Sequence, residues 1–202
     1  MRCLLGCKYL TTVPLFNTST VTNMHGMFDA CFYLSSVPLF NTSNVTDMSM
    51  MFYGCCYSLT AVPLFDTSKV TNMSRMFDDC EVLTSVPLFD TSKVTNMSSM
   101  FNSCYSLASV PLFDTSNVTA MDFMFRECYN LTSLNLFNTS NVTYMRGTFS
   151  NCYNVQSGIL AFYQQASTQT IPPSDHRQTF SNCGRDTQTG AAELAQIPDD
   201  WK

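Results

Sequence analysis

The side chains able to do chemistry in this 202-residue sequence are ten cysteines, two histidines and fifteen carboxylates. Their spacing matters more than their number. Cys7, Cys31, Cys56, Cys80, Cys104, Cys128 and Cys152 recur every 24 residues, with one 25-residue step at the doubled Cys55-Cys56. Zinc sites ask for close cysteine pairs with histidine partners, and disulfide frameworks ask for cysteines that meet across the fold. No CxxC pair occurs, and His25 and His176 are the only histidines. Identical residues on stacked coils lie ~4.8 Å apart, where pairing would distort the stack. The ladder therefore reads as buried free thiols acting as small hydrophobes. Cys3 and Cys55 fall off it and are the two expected to be reactive.

Asp66, Asp90 and Asp114 also share a repeat position, and a carboxylate column can bind Ca²⁺. Asn stands there at 17, 41 and 138, which fits a turn-forming role better. No nucleophile is paired with a base, so the sequence offers no catalytic residue, no metal site and no cofactor site. The expectation is a protein that is not an enzyme. The Met pairs (24/27, 73/76, 97/100, 121/124) have core spacing, with a Met-lined groove as the lesser alternative. Asn-x-Ser/Thr triplets follow from the repeat itself and say little about glycosylation.

What positions these residues is a period. A fixed repeat near 24 residues, from the first residues to Cys152, means a solenoid of stacked coils. About seven coils are expected over 1–156, and an irregular last coil with a C-terminal cap over 157–202, all one domain. The chain starts in mid-repeat, with Cys3, Leu4 and Cys7 where Met27, Phe28 and Cys31 stand one coil later. That predicts continuity with upstream repeats or a partner over the first coil. Leu4-Leu5-Gly6-Cys7 looks like a lipobox, but too few residues precede it for a signal peptide.

Within each coil, Leu-x-x-Val-x-Leu predicts a short strand whose Val and following Leu face the core, pairing in parallel along the stack. Pro14, Pro38, Pro63, Pro87 and Pro111 interrupt it and remove one donor per coil. Phe then leads into an Asn/Asp-Thr-Ser corner. Val-Thr-x-Met-x-x-Met-Phe predicts a short extended piece running into one or two helical turns that end at the cysteine. A longer helix is expected over 157–166, and Thr179-Phe180-Ser181-Asn182-Cys183 echoes Thr148-Phe149-Ser150-Asn151-Cys152. Trp201, the only tryptophan, is expected to pack over the last coil.

The pattern Phe-x-x-Cys-x-x-Leu-x-x-Val-x-Leu, followed by Phe113-Asp114-Thr115-Ser116-Asn117-Val118-Thr119-Ala120-Met121 and its equivalents, resembles the BspA-like leucine-rich repeats of the bacterial surface protein 26-residue type. The repeat here is shorter, and Pro replaces a polar residue. The resemblance implies a right-handed leucine-rich-repeat coil on a cell surface, attaching to host proteins, other cells or glycans. The alternative is a structural spacer or fibre module of a larger surface or phage tail protein.

Charged residues make up 12% of the chain and the net charge is −5. No basic run favours nucleic acid or an anionic membrane, and no apolar run reaches the ~20 residues of a membrane helix. The remaining candidate surface is the residue after each cysteine: Lys8, Phe32, Tyr57, Glu81, Tyr105, Tyr129 and Tyr153. Lys and Glu there indicate solvent exposure. Phe32, Tyr57, Tyr105, Tyr129 and Tyr153 then form an aromatic edge that could bind protein or sugar, or simply shield neighbouring coils. The outward strand residues and prolines offer a second, smooth uncharged face suited to broad protein contact.

Overall fold

In the computed structural model, which describes residues 4–202, the repeat forms a continuous stack of coils. One core runs its length. Phe28, Phe52, Phe77, Phe101, Phe125, Phe149 and Phe180 stack ring on ring at 5.5–5.9 Å. A second buried column of Phe40, Phe65, Phe89, Phe113 and Phe137 packs against them. The core needs no large sheet because each coil hands its backbone bonds to the next.

The backbone bonds are not where the sequence places a strand. Among the described residues there are isolated parallel bridges only. Two fall on the expected strand, Thr12 with Ser36 and Ser133 with Ser157. The continuous series lies instead just before the first Met, running from Asn23 through Asp47, Asn72, Asn96, Ala120 and Tyr144 to Asp175. There Met24, Met48 and Met73 donate to the carbonyls of Asp47, Asn72 and Asn96 at 2.9–3.0 Å. Proline explains the shift. It has no N–H and biases its predecessor toward extended, polyproline-like backbone.

The run around each proline buries every third residue. Leu83, Val86 and Phe89 are buried while Thr84, Ser85 and Leu88 are exposed. Three residues per turn is the polyproline II repeat, not the two of a strand. The expected Val-and-Leu inner face is therefore replaced by Val and Phe, and the second leucine points outward.

The Met-x-x-Met-Phe segment is not helical either. It is a chain of tight turns that alternates bonds within a coil, such as Met76 N to Met73 O at 3.2 Å, with bonds to the next coil, such as Phe77 N to Met100 O at 3.0 Å. The alternation requires left-handed backbone twice per coil: Met50, Arg75, Ser99 and Phe123 all have φ 56°, with Gly26 and Gly147 at the same position, and four residues later Ala30, Asp79, Ser103, Glu127 and Asn151 have φ 56–63°, with Gly54 at that position. An L residue held there costs about 1 kcal/mol, offset by the bonds to the neighbouring coil.

The corner explains the Asx-Thr-Ser signature. Asp90 Oδ1 accepts from the backbone N and the hydroxyl of Ser92 at 3.0 and 2.7 Å. Thr91, 1% exposed, donates its hydroxyl to the Asp114 carbonyl of the next coil at 2.8 Å. Thr42, Thr67 and Thr115 repeat that bond.

The last coil departs from the pattern. Helix α1, Ile159–Ser167, replaces the proline run and packs Phe162 edge-on against Phe149 at 4.9 Å. Gly158 precedes it with φ 97°, where a Cβ would stand 2.8 Å from the Leu134 carbonyl oxygen. Helix α2, Gln188–Leu194, is capped by Thr187, whose hydroxyl accepts from Gly190 N at 3.0 Å. Trp201 stacks on Phe180 at 6.2 Å and continues the ladder, its carbonyl accepting from Phe180 N.

Candidate functional site

The outward leucines define the most extensive apolar surface feature. Leu15, Leu39, Leu64, Leu88, Leu112 and Leu136 are 51–68% exposed, one per coil over six successive coils. Prolines 38, 63, 87 and 111 and Asn135 line their inner flank, half-buried, beside exposed Ser or Ala at 36, 61, 85, 109 and 133. A hollow of about 400 Å³ opens between Leu15 and Leu39, floored by Phe16. The backbone at each leucine is anchored, because the Val (Leu134 before Leu136) two residues before it and the Phe after it pack into or against the core. Single exposed leucines need no explanation, but a contiguous band of them marks a contact surface.

The aromatic residues that the sequence groups into one edge separate into two clusters. Tyr105, Tyr129 and Tyr153 stack at 4.8 and 5.3 Å with interplanar angles of 8° and 5°. The Arg185 guanidinium covers the outer face of Tyr153 at 4.1 Å. Burial, and then the Glu127 carboxylate, push the Tyr129 hydroxyl up to about 12. Phe32 carries Lys8 over its ring at 5.6 Å and meets Tyr57 edge-on at 6.0 Å. Tyr57 belongs with Tyr33 at 5.3 Å and, through it, Tyr9. Sugars stack on free aromatic faces; Tyr105, Tyr129 and Tyr153 spend theirs on one another and on Arg185, whereas Tyr9, Tyr33 and Tyr57 are 84, 43 and 56% exposed and keep open ring surface.

Tyr57 is misplaced in the sequence alignment because the inserted residue is Cys56, not Cys55. Cys55 is fully buried and its thiol donates to the Phe28 carbonyl at 3.3 Å, as Cys80, Cys104, Cys128 and Cys152 donate to the equivalent Phe carbonyls. Cys56 is the residue off the ladder, so Cys55 is not a reactive thiol; Cys3 lies outside the described residues. Burial raises the buried ladder thiols, Cys31 to about 11 and Cys80, Cys104 and Cys128 further. Thiols held protonated are poor nucleophiles and poor metal ligands.

The corner carboxylates Asp66, Asp90 and Asp114 are held low by hydrogen bonds from Ser68, Ser92 and Ser116. Each is a turn cap. No cluster of three metal-ligating side chains occurs among the described residues. One contact the sequence did not indicate is His25 Nδ1 to Ser49 Oγ at 2.7 Å. Ser49 gives its own proton to Asp47 Oδ1 at 2.5 Å and is 4% exposed, so it accepts from the imidazole. In a nucleophilic triad the carboxylate holds the histidine and the histidine takes the serine proton. Here the serine stands between the other two, which locks a turn rather than activating an attack.

The sequence matches the family described as "Mycoplasma protein of unknown function, DUF285" over residues 6–109 and again over 79–188. The chain belongs to this family. In its DUF285 repeats the pattern is that of BspA-like leucine-rich repeats, and the stack is a leucine-rich-repeat solenoid. The fold is similar to that of the T. pallidum leucine-rich repeat protein TpLRR, with a TM-score of 0.62 and 24% identity over 85% of this chain and 78% of that one. It is also similar to a leucine-rich repeat protein from Eubacterium ventriosum, with a TM-score of 0.58 and 21% identity over 86% of this chain and 42% of that one. No curated protein is similar in sequence. No helix among the described residues is long and apolar enough to cross a membrane.

Proposed function

We propose that this chain is a non-enzymatic protein-contact module, carried on a cell exterior, that binds protein surfaces through the band of outward leucines and prolines. The supporting observation is the column Leu15 to Leu136, apolar and more than half exposed over six successive coils. Folding gains nothing from a leucine left in water, and a polar residue would fit the same backbone. Contact with another surface does gain, by roughly 25 cal/mol for each Å² removed from water. Repetition adds avidity, since weak contacts on successive coils act together. The cell-exterior placement rests on the resemblance to BspA-like repeats.

The aromatic residues take second place: the Tyr105, Tyr129 and Tyr153 faces are occupied, and the exposed Tyr9, Tyr33 and Tyr57 span three coils against six for the leucines. Capture of extracellular-matrix and bacterial surface proteins on immobilised wild type, beside Leu64→Ser/Leu88→Ser and Tyr105→Ala/Tyr129→Ala, tests the assignment. The leucine variant is expected to lose binding and the tyrosine variant to keep it. The reverse pattern would move the contact to the aromatic edge.

A further inference from the structure

We propose that the partner on the leucine–proline face is a second copy of this chain, laid parallel to the first about a two-fold axis that runs along the stack. This rests on the reading of that face as a protein contact. Size is the first argument. The face comprises four residues per coil over six coils, from Thr11, Thr12, Pro14 and Leu15 to Thr132, Ser133, Asn135 and Leu136. That matches the roughly 20–30 residues each side of a standard interface.

Charge is the second. None of these residues is Lys, Arg, Asp or Glu. The face can meet its own image without like-charge repulsion and without burying an unpaired ion.

Side-chain size decides the orientation. The leucines are the largest outward side chains of the face, and the exposed Ser, Thr and Ala column on the other side of the prolines carries the smallest, so the two columns are complementary in size. An axis parallel to the stack sets the leucine column of each copy against the small-residue column of the other. An axis across the stack would set leucine against leucine, Leu39 on Leu112, and leave both small-residue columns uncovered. Period is the final argument. A copy has the same coil spacing in the same direction, so contacts made at one coil recur at all six without drift. The arrangement is isologous and closed, so it stops at two.

Sedimentation velocity of the full chain from about 1 nM, with a fluorescent label, to about 100 µM, since interfaces of this size range from micromolar to picomolar affinity, reads the association directly. The expected result is a rise from 22.7 kDa toward twice that mass. Leu64→Ser/Leu88→Ser, which alters exposed residues only, should weaken it at least roughly 100-fold because four leucines leave the interface. Tyr105→Ala/Tyr129→Ala should leave it unchanged. Orientation follows from mixing copies that carry one introduced cysteine each in a Cys3→Ser/Cys7→Ser/Cys56→Ser background with a short bifunctional thiol reagent: Ser36→Cys with Leu39→Cys should join, and Leu39→Cys with Leu112→Cys should not. The proposal is overturned by wild type that stays at monomer mass, by a dimer that survives the leucine substitutions, or by the Leu39–Leu112 product. Monomeric wild type that still captures other proteins through these leucines would sink self-association alone. Monomeric wild type that captures none would remove the contact reading as well.

Discussion

Val86 and Leu88 stand two residues apart on one extended run and face opposite ways, Val86 7% and Leu88 61% exposed. In a β-strand they would share a face. They do not, because Pro87 between them gives up the ladder and the run takes a three-residue turn, so Phe89 instead fills the second inner position.

The pair makes a stability prediction. Leu88→Ser should change the unfolding free energy by less than about 0.5 kcal/mol, as for a surface substitution. Phe89→Ala, three residues from Val86 and 2% exposed, should cost about 3–5 kcal/mol. Urea unfolding of both variants checks it. A large loss at Leu88 would mean that the leucine is a core residue.

Left-handed backbone at non-glycine positions predicts stabilisation by glycine. Ser99 has φ 56°, and Ser99→Gly should gain up to about 1 kcal/mol, because glycine takes that conformation without the Cβ clash. Gly147→Ala should do the opposite. Its φ is 60° and a Cβ would lie 2.7 Å from the Phe123 ring. A shared midpoint for wild type and both variants in thermal unfolding would contradict the turn geometry.

Asp78 predicts a pH dependence. Burial raises its carboxyl to about 6, against a hydrogen bond from Asn102 Nδ2 at 2.7 Å and Arg75 at 3.9 Å, which pull the other way. An acid whose folded value is raised is most favourable when protonated. Its contribution is fully present below about pH 4, is lost as pH rises through about 6, and amounts to roughly 1–3 kcal/mol. Asp78→Asn should remove that fall. The difference between variant and wild-type stability, measured from pH 4 to 8, should therefore grow with pH; a flat difference would refute the assignment.

The thiols give a labelling prediction. Cys7 is half-exposed, Cys56 is 8% exposed and off the ladder, and Cys55, Cys80, Cys104, Cys128 and Cys152 are fully buried with raised thiols. Among the described thiols, a maleimide followed by peptide mass analysis should mark Cys7 first, Cys56 slowly, and the buried ladder thiols only on unfolding. Labelling of native Cys55 at the rate of Cys56 would restore the other alignment.

The stack was legible because a 24-residue period can hardly mean anything else, and the buried thiols followed from it. The direction of the second leucine was not. Leu-x-x-Val-x-Leu and Leu-x-x-Val-x-x-Phe are both present in Leu83 to Phe89, and alternation favours the first. The five prolines were the available signal that a two-residue period would fail there. The Met segment misled for a similar reason. Its i, i+3 spacing suits a helix, but left-handed residues at Arg75, Ser99 and Phe123 leave no trace in side-chain type, with glycine only at 26 and 147. The aromatic edge broke in two because one inserted residue beside Cys55 shifts Tyr57 into register with Tyr33.

The central claim, that the leucine column faces outward for contact, is tested most directly by Leu64→Ser/Leu88→Ser measured twice, once by thermal unfolding and once by protein association. At a protein concentration where wild type is monomeric, the account predicts a melting temperature within about 2 °C of wild type, as for exposed positions, together with loss of association at higher concentration. A melting temperature lowered by more than about 10 °C would place the leucines in the core. Unchanged association with unchanged stability would mean that the face is not the contact surface.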